Sequence, residues 1–470
     1  MKKVNKQYFL FILMASLMAS GCKKSFLEQT PADALTPGQA LSNVGSLKNA
    51  LNGVYANLRS ENLYGRDLPV MGDLMADNSF IEIQNSGRYL PQYQYSVAVS
   101  DGVAADIWSA SYAGILRANQ IIDANVTSAG VDAIKAEAYA LRGLLYFDLV
   151  KVFAKSFTVD PNALGVPVVL HYDPYKLPSR NKVSEVYTQI VNDLKAGMQS
   201  AGAYQTSARL SKYAIEGLLA KVYLYMGDYT NARTASLDVI NNSGFTLVSA
   251  AKLKDYWSNP AASTDKVETM FEVDADVVNN NSSDDLAAIY ENGYSDIYAS
   301  QGLYELYSAT DKRKTLLVEG TTKSGADAIV VDKYPNANNA DRDNIKVMRL
   351  SEVYLIAAEA SASSNESEAR MYLNELVAER DPSFMGYNST GAALLNDIVT
   401  ERRKELAFEG DRLFDLNRLN RDINRTPNPQ GIPAGVNNIP ANDGRRIAPI
   451  PQTETQSNPN IASQQNEAYK

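Results

Sequence analysis

The stretch Asp132 to Ala154 reads DAIKAEAYALRGLLYFDLVKVFA. Ile134, Ala138, Leu141, Leu145, Leu149 and Val152 recur every three or four residues, so they share one face of a helix with 3.6 residues per turn. Tyr139, Tyr146 and Phe153 form a second apolar stripe beside the first. A helix apolar on two sides must be covered on two sides, which predicts a stack of helices.

Outward from this segment, helices are predicted for Val44 to Arg59, Ala104 to Asn125, Val183 to Gln199 and Leu394 to Glu409. Two further segments resemble each other: LAKVYLYMGDYTNARTASLDVIN, Leu219 to Asn241, and LSEVYLIAAEASASSNESEARMYLNELVAER, Leu350 to Arg380. Each has an amphipathic helix containing Val-Tyr-Leu, a polar turn, and a second helix opening on Ala-Arg. Gly227-Asp228-Tyr229 and Ala232 look like a tetratricopeptide turn, where small residues let paired helices approach. Two copies so far apart predict hairpins set into a larger helical body, not a continuous array.

Strand signals are short: Val166 to Leu170, Phe245 to Val248, Thr269 to Val273 and Ile329 to Lys333. The expected class is mainly α, with long irregular loops and a few short strands. Tyr64 to Asp101, Asp274 to Gly302 and Arg421 to Lys470 are too long for plain connections and read as functional surfaces or packed wraps.

The N-terminus has the pattern of an export signal. Lys2, Lys3 and Lys6 precede the uncharged stretch Tyr8 to Met18, and Ala19-Ser20-Gly21 leads directly to Cys22. Cys22 is the single cysteine of the chain and stands where a bacterial lipobox places its acylated thiol. The expectation is a signal peptide over 1–21, a lipid on Cys22 and a tether over 22–43. A formal net charge of -9 argues against nucleic acid as a partner, because phosphate backbones demand a basic surface.

The search for catalytic chemistry excludes most classes. With one histidine, His171, and one cysteine there is no His/Cys zinc cluster, and neither HExxH, a nucleophile elbow nor a Gly-rich phosphate loop is present. Paired carboxylates leave a glycoside hydrolase open, since such an enzyme needs two acids at a set separation. No cofactor is implied. Asp274, Asp276, Asn279, Asn280, Asn281, Asp284 and Asp285 concentrate oxygen atoms and form a candidate calcium loop, although their spacing is not that of an EF-hand.

The dense charges of ERRKELAFEGDRLFDLNRL, Glu401 to Leu419, read as structural: pairs at helical spacing, with a helix stop at Gly410-Asp411. This segment also resembles the C-terminal signature of the SusD/RagB family, and RLSEVYLIAAEA (Arg349 to Ala360) resembles its preceding helix. AEAYALRGLLYFDLVKVFA, IWSASYAGILRANQII (Ile107 to Ile122), NPNIASQQNEAY (Asn458 to Tyr469) and CKKSFLEQTP after the signal are similar to further family blocks in the same order.

The resemblance implies a SusD-like helical fold with tetratricopeptide-like hairpins, divided here into 44–265 and 266–470. It also implies an outer-membrane lipoprotein facing the cell exterior, with a SusC-type TonB-dependent transporter as partner. The implied role is capture of glycans, with peptides as the alternative, and not catalysis. In such proteins ligands meet variable loops. Two loops here mix aromatic rings with amide, carboxylate and guanidinium groups suited to sugars: Tyr64 to Tyr95, with Asp77, Asn78, Arg88, Tyr89 and Tyr93, and the stretch holding Tyr290, Tyr294 and Tyr298. The last three recur every four residues and would share a face if helical. Trp108 reads as core, whereas Trp257 reads as more open.

Overall fold

The computed structural model describes residues 41–291 and 293–470; the expected signal sequence over 1–21, Cys22 and most of the expected tether lie outside the described residues. About 48% of the described residues are helical and 8% strand, so the class is mainly α. The principal helices are α1 Val44–Leu58, α2 Asp67–Leu74, α3 Gly102–Asp123, α4 Val131–Phe153, α5 Val183–Ser200, α6 Lys212–Met226, α7 Tyr229–Asn242, α8 Leu350–Ser361, α9 Glu366–Ala378, α10 Gly391–Glu405 and α11 Arg412–Arg418. No described helix is long and apolar enough to cross a membrane.

The two stripes of α4 are explained by its neighbours, since α3 covers one side and α5 the other. A Cβ on Gly197 of α5 would lie 2.9 Å from the Ala136 carbonyl oxygen and 3.0 Å from the Ala140 Cβ, so glycine is what permits this crossing. Arg142 ties the three helices together, reaching Asp193 of α5 at 2.6 Å and Asn119 of α3 at 2.7 Å.

In the first hairpin Gly227 ends α6 with φ 72, a left-handed conformation that costs glycine little, and Asp228 caps α7 by accepting from the Asn231 N–H. In the second, Asn365 caps α9. The predicted separation of the two hairpins is corrected here. Although 243–349 intervenes, α7 packs directly on α8, and α8 on α9 and α10, so the array from α3 onward is continuous in space.

The intervening segment builds most of the β structure. The main strands are β1 Ser79–Ile81, β2 Thr269–Val273, β3 Ile297–Ala299, β4 Leu317–Thr321, β5 Asp327–Val331 and β6 Ile345–Arg349, and Ile423–Asn424 pairs with Asn438–Ile439 in a separate two-residue ladder. β2 and β6 pair antiparallel and close the base of the insertion. The other four form a sheet of order β1-β3-β5-β4, in which β1 comes from the first half of the chain. The predicted strands at Val166 to Leu170 and Phe245 to Val248 do not form. Nearby, Leu164 and Thr246 make isolated bridges only, because no neighbouring strand extends the ladder. The division at 265 is not a division of the core, since one apolar cluster includes Leu47, Leu141, Val222, Phe271, Val331, Leu413 and Ile461.

Candidate functional site

The charged signature is buried, and its pairs run between elements. Glu405 receives Arg349 at 2.8 Å, Arg380 at 3.0 Å and Arg313 at 3.2 Å. Glu268, just before β2, receives Arg349 and Arg380, each at 2.9 Å. A second nest joins Arg402 to Asp415 at 3.1 Å, Arg418 to Asp415 at 2.8 Å, and Lys221 to Glu352 and Asp411. Burial opposes charge on Glu405, yet Arg380, Arg349 and Arg313 hold it well below its ordinary value; Arg402 and Arg418 do the same for Asp415. The structural reading of the signature stands, but pairing along one helix is a minor part of it. These charges lock α10 and α11 to the hairpins and to the insertion.

The same lock claims several residues expected to meet ligand. Asp77 accepts two hydrogen bonds from Arg412, at 2.7 and 2.9 Å, and the arginines beside it hold its carboxyl below the usual value despite burial. Asn78 donates to Asp73 at 2.6 Å and accepts from Arg403 at 2.9 Å. Tyr89 is buried, donating to Asp67 and accepting from Arg66. Tyr93 lies buried under the Arg425 guanidinium, 4.8 Å from its ring centroid. Tyr290 is 1% exposed, between Tyr334 and Phe408, and Tyr298 stacks on Phe80. The helix Leu286–Tyr290 ends at Tyr290 and Tyr298 lies on β3, so the three tyrosines share no helical face.

Arg88 and Tyr294 do come together near the surface. The guanidinium stands 3.6 Å from the ring centroid, and Arg88 donates to the Tyr294 hydroxyl of the same side chain at 2.7 Å. Trp108 is core, edge-on to Phe153. Trp257 is also buried, contrary to expectation, because Lys333, Lys346 and Arg349 crowd its ring. His171 meets Asp123 at 3.0 Å on the surface.

The candidate calcium loop uses its oxygens otherwise. Asp276 accepts from the N–H groups of Val278 and Asn279, Asp284 pairs with Arg66, and Asp285 caps Ala288. Among the described residues no group of three or more His, Cys, Asp or Glu is placed to share a metal.

A cleft of about 630 Å³ opens beside the four-stranded sheet, a volume in the range of small-ligand sites. Phe80, Ala299 and Ile329 contribute its apolar surface, Gln301, Tyr304, Glu319 and Asp327 one polar side, and the loop Thr426 to Gln430 the other. That loop is anchored at both ends. Arg425 donates to the carbonyls of Ala76, Tyr93 and Leu74 at 2.8, 2.6 and 2.9 Å, and the Ile432 N–H donates to Ile81 at 2.9 Å.

Tyr304 is held at the cleft by two neighbours. Its hydroxyl donates to Glu319 at 3.0 Å, and the Lys314 ammonium lies 4.3 Å from its ring centroid. An aromatic ring fixed in place, with amides and carboxylates around it, offers a stacking surface for an apolar C–H face and acceptors for hydroxyl groups. None of the cleft's polar residues was singled out in the sequence. The available signals were the irregular stretch from Arg421, which supplies Thr426 to Gln430, the stretch Asp274 to Gly302, which supplies Ala299 and Gln301, and the first loop, which supplies Phe80.

Comparison with known proteins gives consistent matches. A family model described as "Starch-binding associating with outer membrane" matches residues 25–224, and one described as "SusD family" matches residues 322–469. SusD-like protein P2 of Formosa agariphila is 29% identical over 97% of this chain and 98% of its own length. Among solved structures, a SusD superfamily protein from Bacteroides thetaiotaomicron is 29% identical, with TM-score 0.82 over 90% of this chain and 99% of that one. Another, from Bacteroides vulgatus, is 27% identical, with TM-score 0.84 over 91% of this chain and 100% of that one.

Proposed function

The chain belongs to the SusD family, and from that premise we propose that it captures glycans at the bacterial surface and passes them to a SusC-type TonB-dependent transporter in the outer membrane. In this reading 1–21 is removed, Cys22 carries the lipid, and 22–43 is the tether that leaves the helical body free to swing over the transporter. The body faces the cell exterior. It acts by binding, not by turnover.

The observation that carries the glycan reading is the cleft of about 630 Å³ with Tyr304 fixed at its edge. Sugars present a C–H face that stacks on an aromatic ring and hydroxyls that need acceptors and amides. Gln301, Asn428 and Gln430 supply the amides, and Glu319 and Asp327 the carboxylates. The family description of starch binding at the outer membrane supports the same class of ligand.

The test is calorimetric titration of the mature protein with a panel of oligosaccharides and peptides, repeated on Tyr304→Ala. Saccharide binding that weakens in the variant supports the reading. Capture of peptides alone rejects the glycan, and turnover of a panel member rejects a binding protein. Co-purification from outer membranes tests the transporter, and its absence would remove the delivery step.

A further inference from the structure

The charge of the cleft narrows the ligand class. Of the residues lining it, Glu319 and Asp327 are the charged ones, and no lysine or arginine is among them. Their placement follows from strand register. Glu319 pairs with Ile329 and Thr321 with Asp327, so in this antiparallel ladder the four side chains lie on one face of the β4–β5 hairpin. Glu319 and Asp327 are therefore diagonal neighbours, with backbones about 7–8 Å apart. Ile329 also pairs with Ala299, which continues the same row toward the floor of the cleft.

Two cations approach the cleft without joining its lining. Lys314 sits against the Tyr304 ring, and Lys323, in the β4–β5 turn, is bound to Asp296 at 2.8 Å and to the Tyr294 carbonyl. Both carboxylates are solvent-exposed.

We infer that this cleft selects uncharged oligosaccharides and rejects those bearing uronate or sulfate groups, an inference that rests on the glycan reading above. A sugar hydroxyl gains by donating to Glu319 or Asp327, since an ionised carboxylate has about four acceptor positions. A uronate or sulfate brings a second anion to the same face, where no guanidinium or ammonium lines the wall to offset it. Like-charge juxtaposition is the repulsive element by which a binding site separates two otherwise similar ligands. The formal net charge of -9 acts in the same direction at longer range.

The test uses matched pairs: neutral galacto- and gluco-oligosaccharides and the corresponding uronate oligomers, titrated calorimetrically at pH 7 in low and high salt. A neutral sugar is expected to bind, with its uronate counterpart weaker by on the order of tenfold in low salt. The gap should shrink in high salt and in the double variant Glu319→Gln, Asp327→Asn, whose exposed positions leave the fold intact. Uronates that bind as tightly as their neutral counterparts, or tighter, overturn the selectivity while leaving the glycan reading in place. Binding of no saccharide, with retained binding of a basic peptide, defeats the glycan reading and this inference with it.

Discussion

Arg412 grips Asp77 through two parallel hydrogen bonds, Nε to Oδ1 at 2.7 Å and Nη2 to Oδ2 at 2.9 Å, across 335 residues of sequence. The pair joins the first long loop to the C-terminal signature, and both partners are largely buried. Removing one partner leaves an uncompensated charge, so Asp77→Ala should destabilise the protein by about 3–5 kcal/mol. Urea unfolding measures it. Any fall in ligand affinity should track the folded fraction, whereas a loss of affinity at full stability would return Asp77 to the binding site.

Glu405 collects three arginines and is held well below its ordinary value. A carboxyl depressed in the folded state stabilises above its unfolded value and loses that contribution as pH falls through the folded value. With Asp415 and Asp77 shifted the same way, the contribution of these three carboxylates should be flat near neutrality and decline below about pH 4. Chemical denaturation at pH 7, 5, 4 and 3 checks the window. Glu405→Gln should cost about 3–5 kcal/mol at pH 7, since three buried guanidinium groups then share a neutral partner.

Glu291 behaves in the opposite sense. Burial, then the adjacent Asp332, raise its carboxyl to about 8. The folded state therefore holds this proton more tightly than the unfolded chain, and the carboxyl opposes folding once pH exceeds its ordinary value. Glu291→Gln should raise the melting temperature at pH 8, with no gain at pH 4. The gain should be on the order of 1 °C, because the group is partly solvated and its interactions are screened.

Gly410 and Gly87 share φ +87 but differ in surroundings. A Cβ on Gly410 would lie 2.6 Å from the Pro69 Cα, and one on Gly87 meets nothing within 4 Å. Gly87→Ala should cost about 1–2 kcal/mol, the penalty of the left-handed conformation alone. Gly410→Ala should cost clearly more, because α2 must also move. Paired denaturation curves decide it, and equal losses would show that the contact relaxes freely.

Tyr304 separates ring from hydroxyl in the cleft. Tyr304→Ala should weaken saccharide binding by about tenfold, and Tyr304→Phe by about threefold or less, since the ring remains while the bond to Glu319 is lost. Equal losses for both would place the affinity in the hydroxyl and not in stacking.

The helices were legible because periodicity is local: α4 announced both of its buried sides, and Gly227-Asp228 announced a turn. The contact of α7 with α8 was not, since no local signal links residues on either side of 243–349. The buried signature was half legible. Its structural role was visible in the charges at helical spacing and the stop at Gly410-Asp411, but its partners Arg313, Arg380 and Lys221 stand in ordinary local contexts. The burial of several expected site residues was illegible for a related reason. Asp77, Tyr89 and Tyr290 have sugar-binding chemistry, and composition does not tell whether an arginine or a core ring has already engaged them. Glu319 and Asp327 become a pair only through the β4–β5 register.

The clasp of β2 with β6 bears on how such a protein can diversify. It fixes both ends of 274–344, while Glu268 and Arg349 weld its base to the helical stack. Most of the cleft's sheet lies beyond that clasp. The entropy of closing a flexible loop grows only as the logarithm of its length, about 0.6 kcal/mol per doubling. Exposed turns past the clasp can thus be lengthened, shortened or exchanged at small cost while Tyr290, Arg313 and Val331 keep the segment packed on the scaffold, so the scaffold can stay constant while the ligand changes.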